Sequence, residues 1–258
     1  MMVKRGGIMF APLGKYEPCG MFSIEHIISI IICFISIFIL VFKTHKCNKN
    51  KIEKVIKIIT IIITMLELIK IGYNHINGYK EINNWVPLHF CSLFIYSLWM
   101  VGYGKRVIKK IGESFLGSAG ILAGGGFLIM PSSSLTLYPI FHFQCLYSLL
   151  FHSMMLYFGL LYFINNWFIL NYKNHKFYYI FCTAFCLIAF LLNTTTDANF
   201  MFMDNPWNIP IRLLVDVHKK IPLLYTLIIY VVYSIVIYFV MLLIQKIIIK
   251  VREKNELL

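Results

Sequence analysis

Residues 22–42 read FSIEHIISIIICFISIFILVF, a stretch in which Glu25 is the single formal charge. At a rise of 1.5 Å per residue a helix crosses the roughly 30 Å hydrocarbon core of a bilayer in about 20 residues, so this run reads as a membrane span. Six more apolar runs follow, near 55–73, 87–103, 115–130, 140–163, 177–193 and 222–244, the third and fourth of them short. The expected fold is all-α, a polytopic transmembrane bundle of about seven helices. No internal repeat or long linker divides the chain, so residues 1–258 are expected to form a single integral membrane domain.

The composition agrees. The 258 residues are 59% hydrophobic and 14% charged, against about 25% charged residues in soluble domains, and the mean hydropathy is +0.75. This excludes an ordinary soluble enzyme, because one protein core cannot hide that much apolar surface. A net charge of +13 would suit nucleic acid if it formed a solvated face. Lys and Arg cluster instead between the apolar runs, so no nucleic-acid partner is expected and the partners are membrane lipids. The seven cysteines sit mostly within apolar runs, which argues against a disulfide framework and suits small apolar fillers.

Cytoplasmic connections collect positive charge. One side of the expected topology holds fifteen Lys and Arg, among them Lys43, Lys46, Lys49, Lys51, Lys54, Lys105, Arg106, Lys109, Lys110, Arg252 and Lys254, and the other side holds seven. An outside N-terminus and a cytoplasmic C-terminus in the cell membrane satisfy this asymmetry. Lys4 and Arg5 precede only a brief apolar patch broken by Pro12 and Gly14, so no cleavable signal peptide is expected.

In that orientation polar residues crowd the outer side: Glu25 and His26, His75, His89 with Cys91, His142 with Gln144, Asn193 with Asp197, and His218. Wet helix ends explain any one of them, but their convergence on one leaflet predicts a polar pocket opening there. In the third run, Pro87 suits a first helical position and places His89 in the first turn. Residues two apart on a regular helix face different ways, so His89 and Cys91 would not pair alone. The fifth run offers partners: His142 and Cys145 are three apart, Cys145 and His152 seven apart on one face. A histidine hydrogen-bonded between helices is the structural alternative for His152. Glu67 and Lys70, three apart, suit an ion pair that lowers the cost of inserting both. Gly120 and Gly124 suit close helix approach in lipid, and the glycines 124–126 ahead of Pro131 predict a broken or short helix.

The cluster from Trp85 to Cys91, the histidine-bearing stretch from Phe141 to His152, and the segment Asp197, Ala198, Asn199, Phe200, Met201, Phe202 followed by Pro206 resemble the YwaF-type integral membrane family. That resemblance implies a distant kinship with eukaryotic multi-pass acyltransferases that move fatty acyl chains onto ether lysophospholipids, with a cysteine and a histidine as the working pair. Those enzymes carry a cysteine directly before the histidine; Leu88 holds that place here, and Cys91 is the nearest thiol.

The candidate catalytic residues are therefore His89, Cys91, His142 and His152, and the candidate substrate-binding residues Glu25, Glu67, Asn193, Asp197 and Asn199. No metal or cofactor is expected. Phospholipid acyl transfer or hydrolysis is the leading function. The alternatives are a transporter or binding protein for a small polar solute or lipid, a zinc hydrolase using histidines and an aspartate with Ser148 near His152, and an assembly role.

Overall fold

The computed structural model describes residues 7–131, 133–206 and 211–255. Lys4, Arg5 and the side chains of Arg252 and Lys254 lie outside that set. The described residues contain ten α-helices and no strand: α1 (Ile24–Thr44), α2 (Lys49–Ile76), α3 (Leu93–Tyr103), α4 (Arg106–Leu116), α5 (Ala119–Ile129), α6 (Phe143–Ile164), α7 (His175–Thr195), α8 (Arg212–Lys220), α9 (Pro222–Val231) and α10 (Ile237–Asn255). By length and composition five helical stretches can cross a membrane: α1, α4 with α5 (Arg106–Ile129), α6, α7, and α9 with α10 (Pro222–Lys250).

The apolar runs set these helices, and polar residues begin several of them. Ser23, Asn48 and His142 each accept a backbone N–H two or three residues on, opening α1, α2 and α6. Pro222 begins α9, where its missing N–H costs nothing. Between α9 and α10 the chain winds as a π-turn, Val232–Val236. Its freed carbonyls find donors on α7: the Tyr178 hydroxyl donates to Tyr233 O at 2.6 Å and His175 Nε2 to Ser234 O at 3.0 Å.

Of the seven expected spans, the second, α2, and the third are not among these five, and the third and fourth differ in extent from the expectation. The third is helical only over the 11 residues of α3, about 16 Å and too short to cross alone. Pro87, His89 and Cys91 lie before it in a turn closed by Leu93 N to Phe90 O and Phe94 N to Cys91 O. The fourth begins earlier than expected, at Arg106, because the basic residues read as a loop form the first turns of α4. Lys109 pairs with Glu53 of α2 at 2.6 Å, and Lys49 with Glu113 at 2.7 Å.

Glycines decide how closely the helices meet. A Cβ on Gly112 would stand 2.7 Å from Ser97 O, which holds α4 against α3. A Cβ on Gly124 would stand 2.7 Å from Leu156 N and 2.9 Å from His152 O, while one on Gly159 would meet Ile121 at 2.9 Å. The expected close approach is thus real and joins α5 to α6. Of the expected broken or short helix, the structure has the short one: α5 runs regularly through glycines 124–126 and ends after 11 residues at Ile129, just before Pro131. The interruption falls earlier, at Gly117 and Ser118, where Ser118 has φ −129° and ψ −90° and its hydroxyl bonds Ser114 O.

The N-terminal segment closes one end of the bundle. Ala11 O accepts the Tyr73 hydroxyl at 2.6 Å and His142 Nε2 at 3.1 Å, Cys19 N donates to Tyr138 O, and Gly20 N donates to Leu135 O. We call this the polar end and the opposite one, with Lys49 and Lys109, the basic end.

Candidate functional site

About two and a half turns below the polar end of α2, Glu67 lies almost wholly buried. Lys70 Nζ reaches its Oε1 at 2.5 Å and the Tyr147 hydroxyl of α6 donates to its Oε2 at 2.6 Å. The spacing anticipated the ion pair; Tyr147 had no such signal among sixteen tyrosines. A carboxylate held from two sides offsets much of its burial cost. Lys70 also lies within electrostatic reach of His89 and of His152, although no described contact joins either ring to the pair.

Both imidazoles are incompletely bonded. His152 Nδ1 lies 2.7 Å from Ser148 O, a carbonyl that only accepts, so Nδ1 carries the proton and Nε2 the lone pair. Nε2 is buried with no partner among the described residues, and the ring stacks on Phe127 at 3.6 Å. His89 Nδ1 is likewise buried without a partner. Because residues 87–92 are not helical, the expected opposition of His89 and Cys91 across a helix does not apply, although no hydrogen bond joins the two among those described. Phe90, between them, stacks on Tyr233 at 4.3 Å.

A strained strap covers His89. Phe200 and Phe202 face its ring at 5.9 and 5.6 Å. Met201 and Phe202 take left-handed φ values of 55° and 53°, uncommon outside glycine and asparagine. Hydroxyls of the last span latch the strap: Tyr233 donates to Met201 O, Tyr225 to Phe202 O and Thr226 to Met203 O. The asparagines expected to bind substrate hold it too. Asn193 bonds Phe200 N and O, at 2.8 and 3.1 Å. Asn199 bonds Asp204 N, Asn205 N and Asn205 O.

The other candidates stand apart from this cluster. His142 uses both nitrogens, Nδ1 accepting from Gln144 N and Nε2 donating to Ala11 O, and its ring stacks on Tyr138 at 4.1 Å. Burial lowers its basicity, partly opposed by the bond to Ala11. Cys145 donates to Tyr138 O and meets no imidazole among the described hydrogen bonds. Glu25 and Asp197 are exposed and enter no ion pair among the described residues. No three His, Cys, Asp or Glu among the described residues converge as a metal site.

Stacked apolar helices enclosing a buried charged cluster define a multi-pass membrane protein. The TMEM164 family model matches residues 21–245. The chain belongs to that family. No curated protein and no solved structure matches it.

Proposed function

We propose that the chain is a membrane enzyme that transfers or hydrolyses the acyl ester of a phospholipid. The observation that supports this is the pair of buried imidazole nitrogens, His89 Nδ1 and His152 Nε2, left unpartnered among the described residues and within electrostatic reach of the Lys70 ammonium. Buried polar atoms are nearly always paired, and two such orphans suit a bound, reacting group. In this reading His152 Nε2 takes the proton from an attacking lysophospholipid hydroxyl or water, the new acyl–oxygen bond forms as the old ester C–O bond breaks, and the departing lipid alkoxide takes the proton back from the imidazolium. Where Cys91 attacks first, its thiol proton passes to an imidazole and a thioester forms. The departing lipid alkoxide takes that proton, and a second hydroxyl or water then releases the acyl chain.

The similarity to YwaF-type proteins and to eukaryotic ether-lysophospholipid acyltransferases belongs to the same proposal. So does a topology in which α2 and α3 complete seven crossings of the cell membrane, with the N-terminus outside and the polar end at the outer leaflet. The test is acyl movement by the purified protein in liposomes carrying labelled phospholipid and lysophospholipid. The native chain is expected to move label and His152→Ala to lose about 100-fold or more, with His89→Ala and Cys91→Ala reporting the second base and the nucleophile. No movement by the native chain across a broad lipid panel would refute the reading.

A further inference from the structure

Near the basic end, Lys49, Glu53 and Lys57 follow one another at four-residue spacing and so form one row along α2. The first two are taken by α4, Lys49 pairing with Glu113 at 2.7 Å and Glu53 with Lys109 at 2.6 Å. Lys57 meets no carboxylate among the described residues, since Glu53, the acid one turn earlier, gives its Oε2 to Lys109. Its ammonium stands 5.7 Å from the centre of the Tyr103 ring, and the Tyr103 hydroxyl donates to Lys57 O at 3.2 Å. The three N–H donors of that ammonium are therefore free for a ligand.

Lys57 and Tyr103 line an open groove of about 300 Å³ between α2 and α3, together with Ile58, Ile61 and Ile62. The three isoleucines are exposed and continue the groove toward the middle of α2. With α2 in the bilayer, as proposed above, lipid is the medium on this face. A small soluble anion would leave the isoleucines unmatched, and a neutral lipid would leave the ammonium unmatched. Lys105 and Arg106, exposed and without an ion pair among the described residues, follow Tyr103 closely and make this end net positive. Such a surface favours a headgroup with net negative charge.

We propose that the groove between α2 and α3 holds an acyl chain of an anionic phospholipid, with its phosphate on Lys57. Tyr103 holds the lysine stem at the mouth, and the isoleucines receive the chain. Lys57 is ten residues, about 15 Å along α2, from Glu67. The site rests on the placement of α2 in the bilayer and not on acyl chemistry.

Quenching of tryptophan fluorescence by phospholipids with brominated acyl chains, titrated into the purified chain in neutral detergent micelles, tests this. Trp99 is the local reporter, its ring lying 5.0 Å from that of Tyr103. Brominated phosphatidylglycerol is expected to quench at about tenfold lower concentration than brominated phosphatidylcholine, and Trp99→Phe should remove the difference. Lys57→Gln should bring the two lipids together, and Lys57→Arg should keep them apart. Lys246→Gln is the control: it removes another ammonium that lies over a tyrosine, 5.1 Å from the Tyr172 ring, and should leave the preference unchanged. Ile62→Phe, which adds bulk in the groove without changing charge, should weaken binding of both lipids. Equal quenching by the two lipids in the native chain, a preference that survives Lys57→Gln, or displacement of the lipid by inorganic phosphate would overturn the assignment. A dimer that Ile62→Phe dissociates would give the groove to a second copy and overturn it as well. No quenching of Trp99 by either lipid would remove the placement of α2 in the bilayer together with the site, whereas binding without acyl transfer would remove only the enzyme reading.

Discussion

Replacing Gly124 by alanine tests the α5–α6 junction behind His152. The added Cβ would stand 2.7 Å from Leu156 N and 2.9 Å from His152 O, both backbone atoms that no rotamer change can move. Overpacking of this kind costs about 1–3 kcal/mol, and the gain in helix propensity returns about 0.8–1 kcal/mol. Gly126, two residues on, is the control. Its Cβ would meet nothing within 4 Å, so Gly126→Ala keeps the propensity gain without the clash. The variants should differ by about 1–3 kcal/mol, at about 2–4 °C per kcal/mol for a chain of this size. Thermal unfolding in detergent micelles reads the difference directly. Should Gly124→Ala melt at or above Gly126→Ala, the close approach of α5 and α6 is wrong, and with it the placement of the His152 carbonyl.

Two further outcomes follow from the polar end and the strap. His142 is held neutral in the fold, where its basicity is lowered, while in the unfolded chain it protonates below about pH 6.5. Stability should therefore be complete above that pH and fall as the solution is acidified below it; His142→Asn, which keeps an N-cap acceptor, should flatten this dependence in melting curves taken from pH 8 to 5. Asn193→Ala removes both bonds to Phe200 and should cost about 1–3 kcal/mol. It should also speed proteolysis between residues 199 and 206, and unchanged cleavage would show that the tyrosine latches suffice.

Long apolar runs made α1, α6 and α7 legible to within two or three residues, because hydrophobic length alone decides whether a helix can lie in lipid. The start of α4 was not legible. Its basic first turns look like a loop until Glu53, more than fifty residues earlier, supplies a partner for Lys109. The Glu67–Lys70 pair could be read from its spacing within one helix. Tyr147 could not, since its partner lies eighty residues away. Asn193 and Asn199 show a different limit: an amide that recognises a ligand and one that fastens a backbone strap have the same chemistry, and only the identity of their partners separates them.

The π-turn at Val232–Val236 gives the last span an unusual tolerance of length. A π-turn holds one residue more than regular winding needs, so deleting a single residue there would leave a smoother helix. Because the extra residue is taken up inside one wide turn, the helix beyond would keep its phase, with Tyr238 still at Asn171, whose backbone N–H and carbonyl both meet its hydroxyl, and Met241 and Leu242 still in the core. The irregular turn therefore acts as a local store for one residue, and a single deletion there is expected to leave both halves of the helix facing as they do now.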